Sequence, residues 1–130
     1  MTSDRRKAST EAMRAVRPVL AERCGGNCER CGAILPLDAD GRLVFEAHHR
    51  LMRSRGGKDG AANLVALCDQ CHRWVHARPH PAELEGYMLP SMSNGEPTDP
   101  SVCTVQLRHW PCLLADDGTF TELDIDDVVD

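Results

Sequence analysis

Two Cys-x2-Cys turns, Cys28-Glu29-Arg30-Cys31 and Cys68-Asp69-Gln70-Cys71, constrain this chain more than any other feature. Each turn presents two sulfurs to one ion, and two turns complete a tetrahedral zinc site with Zn–S bonds of ~2.3 Å. Such a site suits the composition. At 130 residues with 4% aromatics the chain is short of large rings for a core, and small domains of this kind commonly draw folding energy from a metal. The cysteine total of seven is odd, which also favours metal over a disulfide framework. Cys24 could replace Cys28 in a looser turn, although Cys-x2-Cys geometry favours Cys28. Cys24, Cys103 and Cys112 read as ordinary thiols. The string Cys68-x2-Cys71-His72 also matches a haem-attachment pattern, but that chemistry needs an exported chain and would leave Cys28 and Cys31 without a purpose.

No apolar run reaches the ~18 residues needed to span a bilayer. The first seven residues are polar and basic and lead into no apolar signal core, so a cytoplasmic location with free thiols is expected (the host cytoplasm if phage-encoded). The net charge of -5 conceals a division. Residues 1–81 hold 14 Lys and Arg against 9 Asp and Glu, whereas residues 82–130 hold Arg108 against 11 acidic residues. The first part has the sign of a phosphate-binding surface; the second is an acidic appendage.

Hydrophobic spacing predicts a helix over residues 10–23, broken or kinked by Pro18 or starting near it. A glycine-rich knuckle follows at 24–32, then a strand at 43–48, an exposed basic loop at 50–62 and a strand at 64–67. Residues 69–77 read as a helix ended by Pro79 and Pro81. Residues 91–100 look like a linker, and 102–107 and 111–114 like strands. A turn at 116–119 would return through 120–123, with an acidic, frayed end over 123–130. The expected division is a basic helical segment at 1–22, a metal-bearing domain at 23–81 and the acidic extension at 82–130.

Four of the six histidines gather beside the cysteines. His72 and His76 are four apart, so on a helix their imidazoles share one face and can share one ion. His48 and His49 are adjacent in a predicted strand, where neighbouring side chains point to opposite faces. One metal ligand and one base is the natural division between them.

These residues resemble a known family. Phe45-Glu46-Ala47-His48-His49, Gly56-Gly57, Asn63-Leu64 and Leu67-Cys68-x2-Cys71-His72-x3-His76 look like an HNH endonuclease, with the three letters on His49, Asn63 and His72. The Glu-x-His-His and His-x3-His elements are similar to colicin DNases, and the cysteines to zinc-stapled HNH proteins of bacteria and phages. The resemblance covers about residues 23–78 and implies a small α+β fold: a ββα-metal (His-Me finger) core stapled by a four-cysteine zinc site, with an acidic C-terminal extension. It implies a metal-dependent endonuclease on double-stranded DNA, nicking or cutting, with 5′-phosphate and 3′-hydroxyl products. His48, His72 and His76 would hold one catalytic divalent cation (Mg2+, Mn2+, Ni2+ or Zn2+), and Cys28, Cys31, Cys68 and Cys71 the structural Zn2+. His49 would be the general base, and Asn63 would tie down the loop carrying it. Arg50, Arg53, Arg55 and Lys58 are candidates for DNA-phosphate contacts. Glu46 would orient an arginine or a ligand histidine, or serve as a plain strand carboxylate.

The extension is similar, loosely, to those of HNH proteins of actinobacterial phages, through Gly86-Tyr87 and Asp99-Pro100…Trp110…Asp117-Gly118-Thr119. Phage HNH proteins of this size often work beside a terminase in DNA packaging, so the family resemblance implies a phage or prophage source; the extension is expected to be a bland acidic add-on, or else a DNA mimic or a docking surface for a packaging protein. The alternative function is a non-catalytic zinc-ribbon module binding nucleic acid or protein. Such a module would have no use for His48, His49, Asn63 and His76 together.

Overall fold

A computed structural model describes residues 2–124, so the acidic end at 125–130 lies outside the described residues. The fold is small α+β. Helix α1 (Thr2–Cys24) leads into the cysteine knuckle, and strands β1 (Glu46–His49) and β2 (Leu64–Leu67) form an antiparallel pair followed by helix α2 (Asp69–Ala77). Helix α3 (Pro79–Leu84) comes next. A small hairpin, β3 (Met92–Ser93) with β4 (Glu96–Pro97), precedes a three-stranded antiparallel sheet of β5 (Val105–Leu107), β6 (Trp110–Leu114) and β7 (Phe120–Glu122).

Helix α1 runs straight through Pro18, where the sequence predicts a break. Pro18 sits on the exposed side, so water can take the carbonyl that its missing N–H releases. The opposite side is anchored. Leu20 is fully buried, contributing roughly 1.5–3 kcal/mol. Arg23 reaches the carbonyls of Ala61 (2.8 Å) and Leu64 (2.6 Å) and pairs with the buried Glu29 carboxylate (2.8 Å), which also accepts the Ala66 N–H (2.9 Å). Helix, knuckle and β2 are thereby joined through one ion pair.

Strand β2 is buried along its whole length, and its register with β1 sets Ala47 opposite Ala66, His48 opposite Val65 and His49 opposite Leu64. The ladder covers 46–49 only, shorter at its start than the predicted strand. Pro79 ends α2 as expected, yet Pro79 and Pro81 then lie within α3, because proline is tolerated in a helix's first turn. The predicted linker at 91–100 contains the β3–β4 hairpin, and the turn at 116–119 returns through β7 as anticipated.

The acidic extension is built into the core. One hydrophobic cluster takes Leu20 from α1, Leu64 to Leu67 from β2, Val75 from α2, and Tyr87, Val105, Cys112 and Leu114 from beyond residue 82. Gly118, at positive φ, leaves no room for a side chain, because a Cβ there would meet Val19 of α1 at 2.5 Å. Arg50, expected in the exposed basic loop, is also part of this interior, with no accessible surface. It cannot contact DNA from there, and the phosphate-contact expectation for Arg50 is corrected. The chain turns inward directly after β1, and backbone carbonyls supply its hydrogen bonds.

Candidate active site and metal centres

The two cysteine turns converge. The sulfurs of Cys28, Cys31, Cys68 and Cys71 lie within 4.8 Å of one another, and Cys31 Sγ is 3.8 Å from Cys68 Sγ. Sulfurs at the corners of a zinc tetrahedron with ~2.3 Å bonds are about 3.8 Å apart, whereas a disulfide needs about 2.05 Å. The cluster therefore fits a zinc site. Its surroundings support thiolates as ligands: Ala33 N–H donates to Cys31 Sγ (3.4 Å), Cys71 N–H to Cys68 Sγ (3.4 Å) at the start of α2, and Arg30 to Cys71 Sγ (3.5 Å). Burial opposes ionisation of the cysteines; at Cys28 hydrogen bonds from the Cys31, Cys68 and Arg30 backbone outweigh it and bring the pKa below the usual thiol value, whereas burial holds Cys68 and Cys71 above it. Arg30 also lies over the Trp74 ring (3.5 Å to its centre) and pairs with Glu85 (3.0 Å), which closes the knuckle against α2 and α3. Cys24, Cys103 and Cys112 stand outside the cluster.

A second centre lies where β1 meets α2. His48 is 4% exposed, while His72 and His76, one helical turn apart, reach the surface. Their donor atoms also lie within 4.8 Å of one another, and the Nε2 atoms of His72 and His76 are 3.1 Å apart. Two nitrogens ~2.1 Å from one ion lie about 3–3.5 Å apart, so the pair has the spacing of shared ligands. His48 Nε2 is 2.7 Å from the Tyr87 carbonyl, which can only accept, so Nε2 carries the proton and the Nδ1 lone pair is left free. Burial lowers the His48 pKa to about 4, against the pull of that carbonyl and helped by His76, His72 and His49, so the ring is neutral at pH 7. Neutral imidazole is the form that binds metal.

His49 lies on the other face of β1, as the strand alternation predicts. Its Nε2 donates to Asp59 Oδ1 (2.7 Å), which leaves Nδ1 as an acceptor. Arg53 donates to the same oxygen from Nη2 (2.9 Å) and Nε (3.1 Å). Burial works to raise the Asp59 pKa, but the hydrogen bonds from His49 and Arg53 outweigh it and keep the carboxylate ionised. Asn63 is buried immediately before β2. Its Oδ1 accepts the Leu51 N–H (2.7 Å), and its Nδ2 donates to the carbonyls of Leu51 (3.0 Å) and Lys58 (2.8 Å). One amide thus closes residues 51–58 into a fixed loop, and that loop starts two residues after His49. A cleft of about 350 Å3 opens here, lined among others by His48, His49, His72, His76, Arg53 and Ser54.

Of the remaining expected site residues, Arg53, Arg55 and Lys58 are exposed on the loop, with Arg53 already engaged by Asp59. Glu46 is exposed at the start of β1. Asp59 and the Tyr87 carbonyl escaped the sequence reading. Asp59 carried a weak signal as the one acid in a basic loop, but a backbone carbonyl from 39 residues downstream has no sequence signature.

Residues 28–78 match the HNH endonuclease family. The chain is also 39% identical, over 70 residues, to the type IV methyl-directed restriction enzyme EcoKMcrA of Escherichia coli (strain K12). That match takes in 53% of this chain and 25% of the relative, so the chain spans about a quarter of that curated protein.

Proposed function

We propose, from the premise that residues 28–78 are an HNH endonuclease domain, that this protein is a metal-dependent DNA endonuclease hydrolysing phosphodiester bonds of double-stranded DNA. The observation that carries the reading is the joint placement of His48, His72 and His76 as one ligand set and His49 as a base in the same cleft. Those three histidines would hold a divalent cation (Mg2+, Mn2+, Ni2+ or Zn2+), which would supply positive charge for the scissile phosphate and the departing 3′ oxygen. The four cysteines would hold a structural Zn2+.

The chain's own residues supply the rest. His49 Nδ1 takes a proton from water as its oxygen attacks phosphorus. Asp59 accepts the Nε2–H, fixes the tautomer and stabilises the imidazolium that forms. Asn63 touches no substrate; it holds the loop that positions His49 and Asp59. Arg53, Arg55 and Lys58 offer charge to the DNA backbone beside the cleft. As the P–O3′ bond breaks, the 3′ oxygen leaves with the bonding pair and takes a proton from solvent, so the products carry a 5′-phosphate and a 3′-hydroxyl. The association with phage packaging rests on the sequence resemblance alone, and co-purification with a terminase tests it.

The activity is tested on supercoiled plasmid with Mg2+, Mn2+, Ni2+ or EDTA, comparing the native protein with His49→Ala. Cleavage that needs added metal and falls about 10²–10⁴-fold in the variant is expected. No cleavage by folded, zinc-loaded native protein in any metal would sink the nuclease and favour a binding module.

A further inference from the structure

Arg50 directly follows the proposed base, and all five of its guanidinium N–H groups are spent on backbone carbonyls. Nε donates to Gly86 (2.8 Å), Nη1 to Ala62 (2.9 Å) and Pro100 (3.0 Å), and Nη2 to Cys103 (2.9 Å) and Thr104 (3.3 Å). Burial lowers its pKa to about 10, which still leaves it charged at neutral pH. The acceptors come from three separated stretches of chain, and four of the five belong to the acidic extension. Their dipoles converge only once that extension has folded back on the site. Arg50's own backbone is held as well: its N–H donates to Asn63 O (2.8 Å), and its carbonyl accepts the Leu89 N–H (2.8 Å).

The extension meets the site at two further points. The Tyr87 carbonyl holds His48, and Asp116 Oδ1 accepts the Ala62 N–H (3.0 Å), one residue before Asn63. Both contacts are tight. A Cβ on Gly60 would meet that Asp116 oxygen at 2.6 Å, and one on Gly86 would meet the Thr104 carbonyl at 2.2 Å.

We propose that Arg50 is a positioning residue, and that residues 86–116 form a clamp which acts through it to hold His48, His49 and Asn63 in register. The proposal rests on the nuclease reading for its consequence, not for its geometry. A guanidinium bonded to five fixed acceptors cannot shift without losing several bonds together, so the segment on either side of it is held still. Lysine has one nitrogen and cannot reproduce the fork.

The test uses full-length, zinc-loaded protein carrying Arg50→Lys, Asp116→Ala as a milder break of the same clamp, and Leu20→Ala as a core control that removes none of the Arg50 hydrogen bonds. Two readouts are taken well below each melting temperature. The first is amide hydrogen exchange at Leu51, bonded to the Asn63 side chain, against Cys28, bonded to Ala33 O in the zinc knuckle. The second is kcat and KM on plasmid. Arg50→Lys is expected to speed Leu51 exchange at least tenfold while Cys28 is unmoved, and to lower kcat at least tenfold with KM within twofold. Asp116→Ala moves both in the same direction by a smaller factor, and Leu20→Ala moves neither. Unchanged Leu51 exchange, or equal acceleration at Cys28, would overturn the clamp. A raised KM with kcat intact would also overturn the positioning role. If Arg50→Lys does not fold, Asp116→Ala decides alone by the same criteria. If native protein cleaves nothing, the nuclease reading fails, while the exchange data still decide the clamp.

Discussion

The four-cysteine and three-histidine centres share helix α2, yet they are built to opposite ends. Cys68 and Cys71 start the helix and face two sulfurs from the knuckle, and the surrounding N–H groups and Arg30 turn toward the sulfurs. Four protein ligands fill a tetrahedron, which leaves nothing for substrate. One turn further on, His72 and His76 meet the buried His48 with three donors and a cleft beside them. Three protein ligands leave the rest of a coordination sphere for water and phosphate. On the proposed reading, the same helix carries a centre that would hold the fold and a centre that would stay open to react, and the number of ligands separates them.

The largest expected effect is on the closed centre. Cys71→Ser should release zinc and cost about 5 kcal/mol or more, enough to unfold a domain of this size. Circular dichroism and metal analysis would show both, and a folded, zinc-free Cys71→Ser protein would contradict the structural role. The open centre should behave in reverse. His76→Ala is expected to lower cleavage at least about 100-fold while zinc content stays at one per chain and stability moves by under about 1 kcal/mol, because the side chain is exposed. A stability loss matching that of Cys71→Ser would erase the distinction between the centres.

A smaller effect sharpens the comparison within the open centre. Asp59→Asn keeps the shape but weakens the hold on His49 Nε2 and releases Arg53 from its ion pair. Cleavage should fall about tenfold with zinc unaffected, in line with partners that orient a reacting group. Activity within twofold of native would show that the loop positions His49 without Asp59. Smallest is Lys58→Ala, whose exposed charge should raise KM two- to threefold and reduce the salt slope of DNA binding by about one. A change in kcat instead would move Lys58 from the DNA surface into the chemistry.

What was legible beforehand follows the range of the interactions. The cysteine cluster, the His72–His76 pair, the opposed faces of His48 and His49 and the β6–β7 turn are local patterns, spaced by the repeat of a turn, a helix or a strand. Arg50 was misread for a related reason. A basic loop in sequence is exposed on average, but burial is decided by what packs against it, and here five carbonyls from as far as residue 104 close over one guanidinium. The extension looked like an acidic add-on because its net charge is visible, whereas its inward face, Tyr87, Val105, Cys112 and Leu114, is spread among the acids.

The two clusters of donor atoms were readable from residue type and spacing, because such spacings suit only certain local geometries. The contacts around those clusters depend on the whole fold: the Tyr87 carbonyl on His48, Asp59 behind His49, the Asn63 hydrogen bonds and the carbonyls around Arg50. Most of these contacts end on backbone groups, which every residue possesses. A backbone carbonyl becomes a specific partner only when the fold brings it within hydrogen-bond reach, so nothing in the residue letters could have marked it.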